Sequence, residues 1–250
     1  MLLHGFIGAS SMWTPQLEAL ADRFTVIAWD APGAGSSDDP PPEFGIAEWA
    51  LALADFLAIL SIDRAHVVGL SWGGLLAQEL FRRSPSVVGS LVLADTYAGW
   101  RGSLGERVAV ERLAAARADS ELPPEEFSAR YLAGMLSPDA PPALRGDVAE
   151  LMGGVRPTGF RMMAEAVAAA DTRSLLETIR VPTLLIWGDA DARSPLPVGQ
   201  EIHRLIPGSR LVVLAGAGHV SNIERAQPFN AAVRDFCDGV DLTERRANGQ

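Results

Sequence analysis

Ser71 stands in Gly69-Leu70-Ser71-Trp72-Gly73, a G-x-S-x-G spacing that follows an apolar run and precedes a helix-forming one. That context predicts a serine held at a sharp strand-to-helix turn, with its hydroxyl exposed as a nucleophile. The spacing has a steric cause. A residue at such a turn has strained backbone angles, and side chains two residues to either side would collide, so glycine is wanted at both places. Gly74 gives further room. A helix beginning at Trp72 would also direct backbone N–H groups and its positive dipole end towards an oxyanion.

A serine hydroxyl is a weak nucleophile near neutral pH, so it requires a base and an acid to orient that base. The chain has four histidines. His66 begins the strand leading to Ser71 and His203 lies on a polar helix face, positions suited to packing or solvent. His219 follows Gly216-Ala217-Gly218 in a turn able to carry an imidazole over the sheet edge, which makes it the candidate base. Asp189 and Asp191, in Trp187-Gly188-Asp189-Ala190-Asp191-Ala192-Arg193, and Asp95, after an earlier strand, are the candidate acids. The order Ser, Asp, His is compatible with all three.

These residues need a scaffold that gathers them. Short apolar runs at Met1-His4, Thr25-Trp29, His66-Gly69, Ser90-Ala94, Thr183-Trp187 and Arg210-Leu214 read as buried parallel strands. Helical patterns at about Met12-Ala21, Ile46-Leu60, Trp72-Arg83, Val198-Leu205 and Glu224-Cys237 alternate with them. The alternation predicts an α/β fold, a mostly parallel sheet flanked by helices, with its site at the carboxyl ends of the strands. Residues 1–95 and 172–240 are expected to form this core. Residues 96–171 interrupt it with helical segments punctuated by Pro123-Pro124, Pro138, Pro141-Pro142 and Pro157, the pattern of a helical cap. Residues 241–250 are polar and expected to fray.

With 31 acidic against 21 basic residues, the net charge is -10, which argues against nucleic acid and anionic membranes as partners. No uninterrupted apolar stretch reaches the length of a membrane span, and the N-terminus lacks the pattern of an export signal. Cys237 is the single cysteine, so no internal disulfide or cysteine-built metal site is expected, and a cytoplasmic location follows most simply. Gly33-Ala34-Gly35 lacks the later glycine of a nucleotide loop and is crowded by prolines, so neither a cofactor nor a metal is assigned.

Taken together, these segments resemble the α/β-hydrolase superfamily, especially its capped esterase and enol-lactonase-like members. His4-Gly5-Phe6 resembles its H-G-x oxyanion loop, Asp30 to Ser36 its D-x-x-G-x-G-x-S turn, and Gly216 to His219 its histidine loop. The resemblance implies that Asp191, third after Gly188, is the acid, with Asp95 held in reserve. It also implies an oxyanion hole made by the backbone N–H groups of Phe6 and Trp72, whose side chains would form an apolar wall. In this family two more strands usually precede the oxyanion strand. Here that strand starts at Met1, so the usual first two strands are expected to be absent and one sheet edge exposed.

The expected reaction is acyl transfer from small or medium carboxylic esters through Ser71, His219 and Asp191. Trp13, Met162 and Met163 are expected in an apolar pocket. An enol-lactonase or a carbon–carbon bond hydrolase would use the same triad. A ligand receptor on this scaffold would bind without sustained turnover.

Overall fold

The computed structural model describes the backbone of residues 1–247 and the side chains of residues 1–241. Six parallel strands form one sheet in the order β2-β1-β3-β4-β5-β6. They are β1 (Leu2–Leu3), β2 (Ala28–Trp29), β3 (Ala65–Leu70), β4 (Val88–Ala94), β5 (Thr183–Gly188) and β6 (Arg210–Leu214). β2 and β6 are the outer strands. β4 and β5 are buried along their whole length, as expected of strands covered on both faces. β2 is shorter than the Thr25-Trp29 run suggested, because only its last residues pair with β1.

The helices packed around this sheet are α1 (Thr14–Leu20), α2 (Ile46–Ile59), α3 (Trp72–Arg83), α9 (Arg173–Leu176), α10 (Leu196–Leu205), α11 (Ser221–Glu224) and α12 (Ala226–Ala247). Helix α3 follows β3 with one residue between them, Ser71. The expected Met12-Ala21 helix is divided into a 3-10 turn at Ser10–Trp13 and α1, with Pro15 in the first turn of α1. The expected Glu224-Cys237 helix breaks at Arg225. Its second part, α12, continues to Ala247, so residues 241–247 are helical where a frayed tail was expected; residues 248–250 lie outside the described part.

Five helices lie between β4 and α9: α4 (Gly99–Leu104), α5 (Glu106–Asp119), α6 (Pro124–Leu132), α7 (Pro142–Met152) and α8 (Pro157–Ala169). Three begin with proline in the first turn, where its missing N–H costs nothing and its fixed φ suits a helix. The two ends of this insertion are clasped together. Thr172 N–H donates to Ala98 O at 3.1 Å, and the Thr172 hydroxyl donates to Gln78 Oε1 at 2.5 Å. Gly99 has φ +74, and a Cβ there would lie 2.0 Å from Ala170 O, so this junction admits only glycine. The insertion packs over the loops at the carboxyl ends of the strands. Phe160 stacks on Phe6 with centroids 5.3 Å apart, and Val220 N–H donates to Met135 O at 3.1 Å.

Candidate active site

Ser71 has φ 54 and ψ −116, a left-handed conformation that a serine adopts only when its surroundings hold it there. Three anchors do so. Its N–H donates to Ala94 O at 2.9 Å, its carbonyl accepts from the Thr96 hydroxyl at 2.5 Å, and the first turn of α3 closes on it through Gly74 N–H at 3.0 Å. The neighbouring glycines are sterically required. A Cβ at Gly69 would come within 2.3 Å of Gly73 O, and one at Gly73 within 2.2 Å of Leu3 O.

The Ser71 hydroxyl donates to His219 Nε2 at 2.9 Å, and His219 Nδ1–H donates to Asp191 Oδ2 at 2.8 Å. These partners fix the tautomer: a carboxylate only accepts, so the proton sits on Nδ1 and Nε2 is left facing the hydroxyl. All three residues are buried. Asp191 is itself fixed, its Oδ1 accepting from Arg193 N–H at 2.7 Å and Ser194 N–H at 2.9 Å. Its neighbour Asp189 accepts from Gly216 N–H at 2.7 Å and so pins the turn that carries His219.

Asp95 lies in the same buried region with a different set of partners. It accepts from Gly188 N–H at 2.8 Å and bonds the Ser221 hydroxyl at 2.5 Å, and it does not bond His219. Burial, reinforced by the nearby charge of Asp191, raises its pKa well above the ordinary carboxylate value. Of the carboxylates considered from sequence, Asp191 is the one placed against the imidazole.

Gly5 lies beside the nucleophile, since a Cβ there would be 3.4 Å from Ser71 Cβ. Among the described residues the Phe6 N–H has no protein acceptor, and Trp72 N–H occupies the first helical position, where the helix supplies none. His4 holds this loop in place. Its Nε2 accepts from Ala31 N–H at 3.2 Å, so Nδ1 carries the proton and donates to Gly5 O at 2.8 Å. Burial lowers the His4 pKa and keeps that neutral form. Asp30 caps the same turn by accepting from Ser10 N–H and Ser36 N–H. Burial opposes its ionisation, but these bonds outweigh it and hold its pKa below the usual value. The remaining histidines are elsewhere: His66 bonds Ser90 and Asp241, and His203 bonds Ser209.

Two cavities meet at Phe6 and His219. A small one also touches Ser71, Met12 and Met135; a larger one, of about 290 Å³, extends under the insertion past Tyr97, Trp100, Arg112, Tyr131 and Arg193. Neither is lined by the three residues expected there. Trp13 is fully buried against Phe229 of α12, and Met162 and Met163 belong to the apolar core of α8. The expected apolar wall is also only half formed. Phe6 lines both cavities, whereas the Trp72 ring turns inward onto His4 and Trp49.

Sequence reasoning also missed Glu224. Its buried carboxylate accepts from Gly218 N–H at 2.7 Å, Ser137 N–H at 3.0 Å and the Ser137 hydroxyl, tying the insertion to the His219 loop. Nothing in its local spacing marks this role. Arg193, by contrast, was in view beside Asp191, and only its spatial neighbours give it meaning.

A strained serine on a strand-to-helix turn, with a histidine and an aspartate delivered by later strands of the same sheet, is the arrangement of an α/β-hydrolase. Residues 1–226 match the family described as alpha/beta hydrolase fold, and the chain belongs to that family. It is 32% identical over 245 residues to a pimeloyl-[acyl-carrier protein] methyl ester esterase of Neisseria meningitidis, covering 96% of this chain and 93% of that protein. It is 31% identical to 3-oxoadipate enol-lactonase 2 of Acinetobacter baylyi, covering 89% and 82%. Among solved structures, a thermophilic esterase from Thermogutta terrifontis superposes with TM-score 0.88 at 27% identity, covering 96% of this chain and 89% of that one. The enol-lactonase from Burkholderia xenovorans superposes with TM-score 0.84 at 30% identity, covering 95% and 90%. Among the described residues no helix is long and apolar enough to cross a membrane.

Proposed function

We propose that the protein is a serine esterase that cleaves small carboxylic esters through an acyl-enzyme on Ser71. The observation that carries this reading is the unbroken chain Asp191–His219–Ser71, with contacts of 2.8 and 2.9 Å, on a strained turn. Ser71 Oγ attacks the ester carbonyl while His219 Nε2 takes its proton, and Asp191 stabilises the imidazolium that forms. The negative charge that develops on the carbonyl oxygen is met by the N–H groups of Phe6 and Trp72, which have no competing acceptor among the described residues. As the tetrahedral intermediate collapses, His219 gives its proton to the departing alkoxide and the alcohol leaves. His219 then deprotonates a water that attacks the acyl-enzyme, and the proton returns to Ser71 as the carboxylic acid is released.

A lactone substrate is a second reading, supported by the two enol-lactonase relatives at 30–31% identity. The steps are the same, except that the leaving alcohol stays tethered to the acyl chain. A cytoplasmic enzyme acting on small molecules is consistent with the buried free Cys237 and the acidic net charge.

The test is hydrolysis of p-nitrophenyl esters of graded acyl length by the wild type and by Ser71→Ala. Sustained turnover that falls by several orders of magnitude in the variant is expected. Turnover retained in purified Ser71→Ala, or binding of esters by the wild type without repeated turnover, would refute the esterase reading.

A further inference from the structure

The 290 Å³ cavity that His219 shares with the insertion has an unusual charge for a chain with net charge -10. Three arginines line it, Arg112, Arg130 and Arg193, against one carboxylate, Asp119. Arg130 and Asp119 neutralise each other at 3.0 Å. Among the described residues neither the Arg112 nor the Arg193 guanidinium is ion-paired with a carboxylate; Asp191 meets Arg193 only at its backbone N–H. Two guanidinium charges are therefore left lining a cavity that reaches the candidate base His219 and meets, at Phe6 and His219, the small cavity that touches Ser71.

These two side chains are held in place by neutral groups. The Arg193 guanidinium lies over the Tyr131 ring at 4.5 Å and donates to Tyr131 O at 3.3 Å. Arg112 donates to Tyr97 Oη at 3.1 Å and to Arg193 O at 3.0 Å, with its guanidinium 5.7 Å from the Trp100 ring. Aromatic faces fix a guanidinium without satisfying its forward donors. Arg193 is half-buried as a residue, yet its Nε is sealed from solvent and has no acceptor. The same holds for the indole Nε1 of Trp100, which lines the same cavity. Those two donors are closed off from the cavity; what the cavity offers an anion is the charge of two guanidinium groups that no side-chain carboxylate pairs. The planar guanidinium fork matches the two oxygens of a carboxylate.

We infer that this cavity is a carboxylate subsite, and that the ester or lactone cleaved at Ser71 carries a second, free carboxylate seated against Arg193 and Arg112. The inference rests on the Ser71 reading for its chemistry but on the cavity for its specificity. A half-ester of a short dicarboxylic acid is the simplest substrate of this class. Its dicarboxylate product would occupy the same place and compete with it.

The test compares monomethyl and dimethyl esters of succinic, glutaric and adipic acids at fixed ionic strength, at a pH where the free carboxyl is ionised. For at least one chain length, kcat/KM for the monomethyl ester should exceed that for the dimethyl ester by about tenfold or more. That ratio should collapse towards one in Arg193→Gln and in Arg112→Gln. Binding of the free dicarboxylates to Ser71→Ala protein, followed calorimetrically, supplies a readout independent of turnover; it should be detectable and weakened by either arginine substitution. Turnover of the neutral diesters equal to or better than that of the half-esters at every length, together with no dicarboxylate binding, would overturn the subsite while leaving the esterase reading intact. No turnover of any ester, with dicarboxylate binding that still depends on Arg193, would count against the esterase reading and uphold the subsite.

Discussion

The turn that carries Ser71 and the insertion above it reach order by opposite means. At the turn, backbone does the positioning: glycines at 69 and 73 allow main chains to approach where a Cβ would come within 2.3 Å of a carbonyl, and Ser71 is held at φ 54. In the insertion, side chains far apart in sequence are brought together, as where Arg112 of α5 bonds the carbonyl of Arg193, which follows β5. The contrast teaches that the proposed chemistry is written in short spacings, whereas the proposed selectivity is written in contacts that exist only once the chain has folded.

The buried carboxylates Asp191 and Asp95 offer the sharpest way to break that contrast, because both come from strand ends and both were open from spacing alone. Asp191→Asn should lower kcat by about 10⁴-fold, since an amide at that position can favour the wrong His219 tautomer. Asp95→Asn should change kcat by less than about tenfold, because Asp95 bonds Gly188 and Ser221 rather than the imidazole. Steady-state kinetics of the two variants decides it. Equal losses would mean that the two carboxylates act as one unit.

A smaller effect sharpens the same comparison through stability. Burial first, then the charge of Asp191, raises the folded-state pKa of Asp95 well above its unfolded value. The folded protein thus holds a proton that the unfolded chain gives up above about pH 4. Its contribution is present in full at lower pH and is lost as pH rises towards the folded-state pKa. Asparagine cannot titrate, so the stability of Asp95→Asn relative to wild type should increase with pH above about 4, by at most about 1.4 kcal/mol per unit. Chemical denaturation at a series of pH values measures this. A difference that stays flat would mean that Asp95 is ionised in the folded protein.

Most of the sheet and the strand-edge site was legible because strands and helices of this fold advertise themselves by local apolar runs, and because Gly69 to Gly73 and Gly216 to His219 are constraints on neighbouring residues. The pocket was not legible. Trp13 and the pair Met162 and Met163 have the apolar character of pocket residues, but the same character suits core packing, and packing against α12 and within α8 is where they are found. Glu224 and Arg112 carried no local signal, since the bonds that tie them across the fold reach Ser137, 87 residues from Glu224, and Arg193, 81 residues from Arg112.

Labelling with an aryl alkylphosphonate, read by intact mass and peptide mapping, tests most directly whether Ser71 is the activated nucleophile. The expected result is a single adduct per chain, located on Ser71, absent in Ser71→Ala and strongly slowed in His219→Ala. Labelling at another residue, or ester turnover that survives complete modification of Ser71, would contradict it.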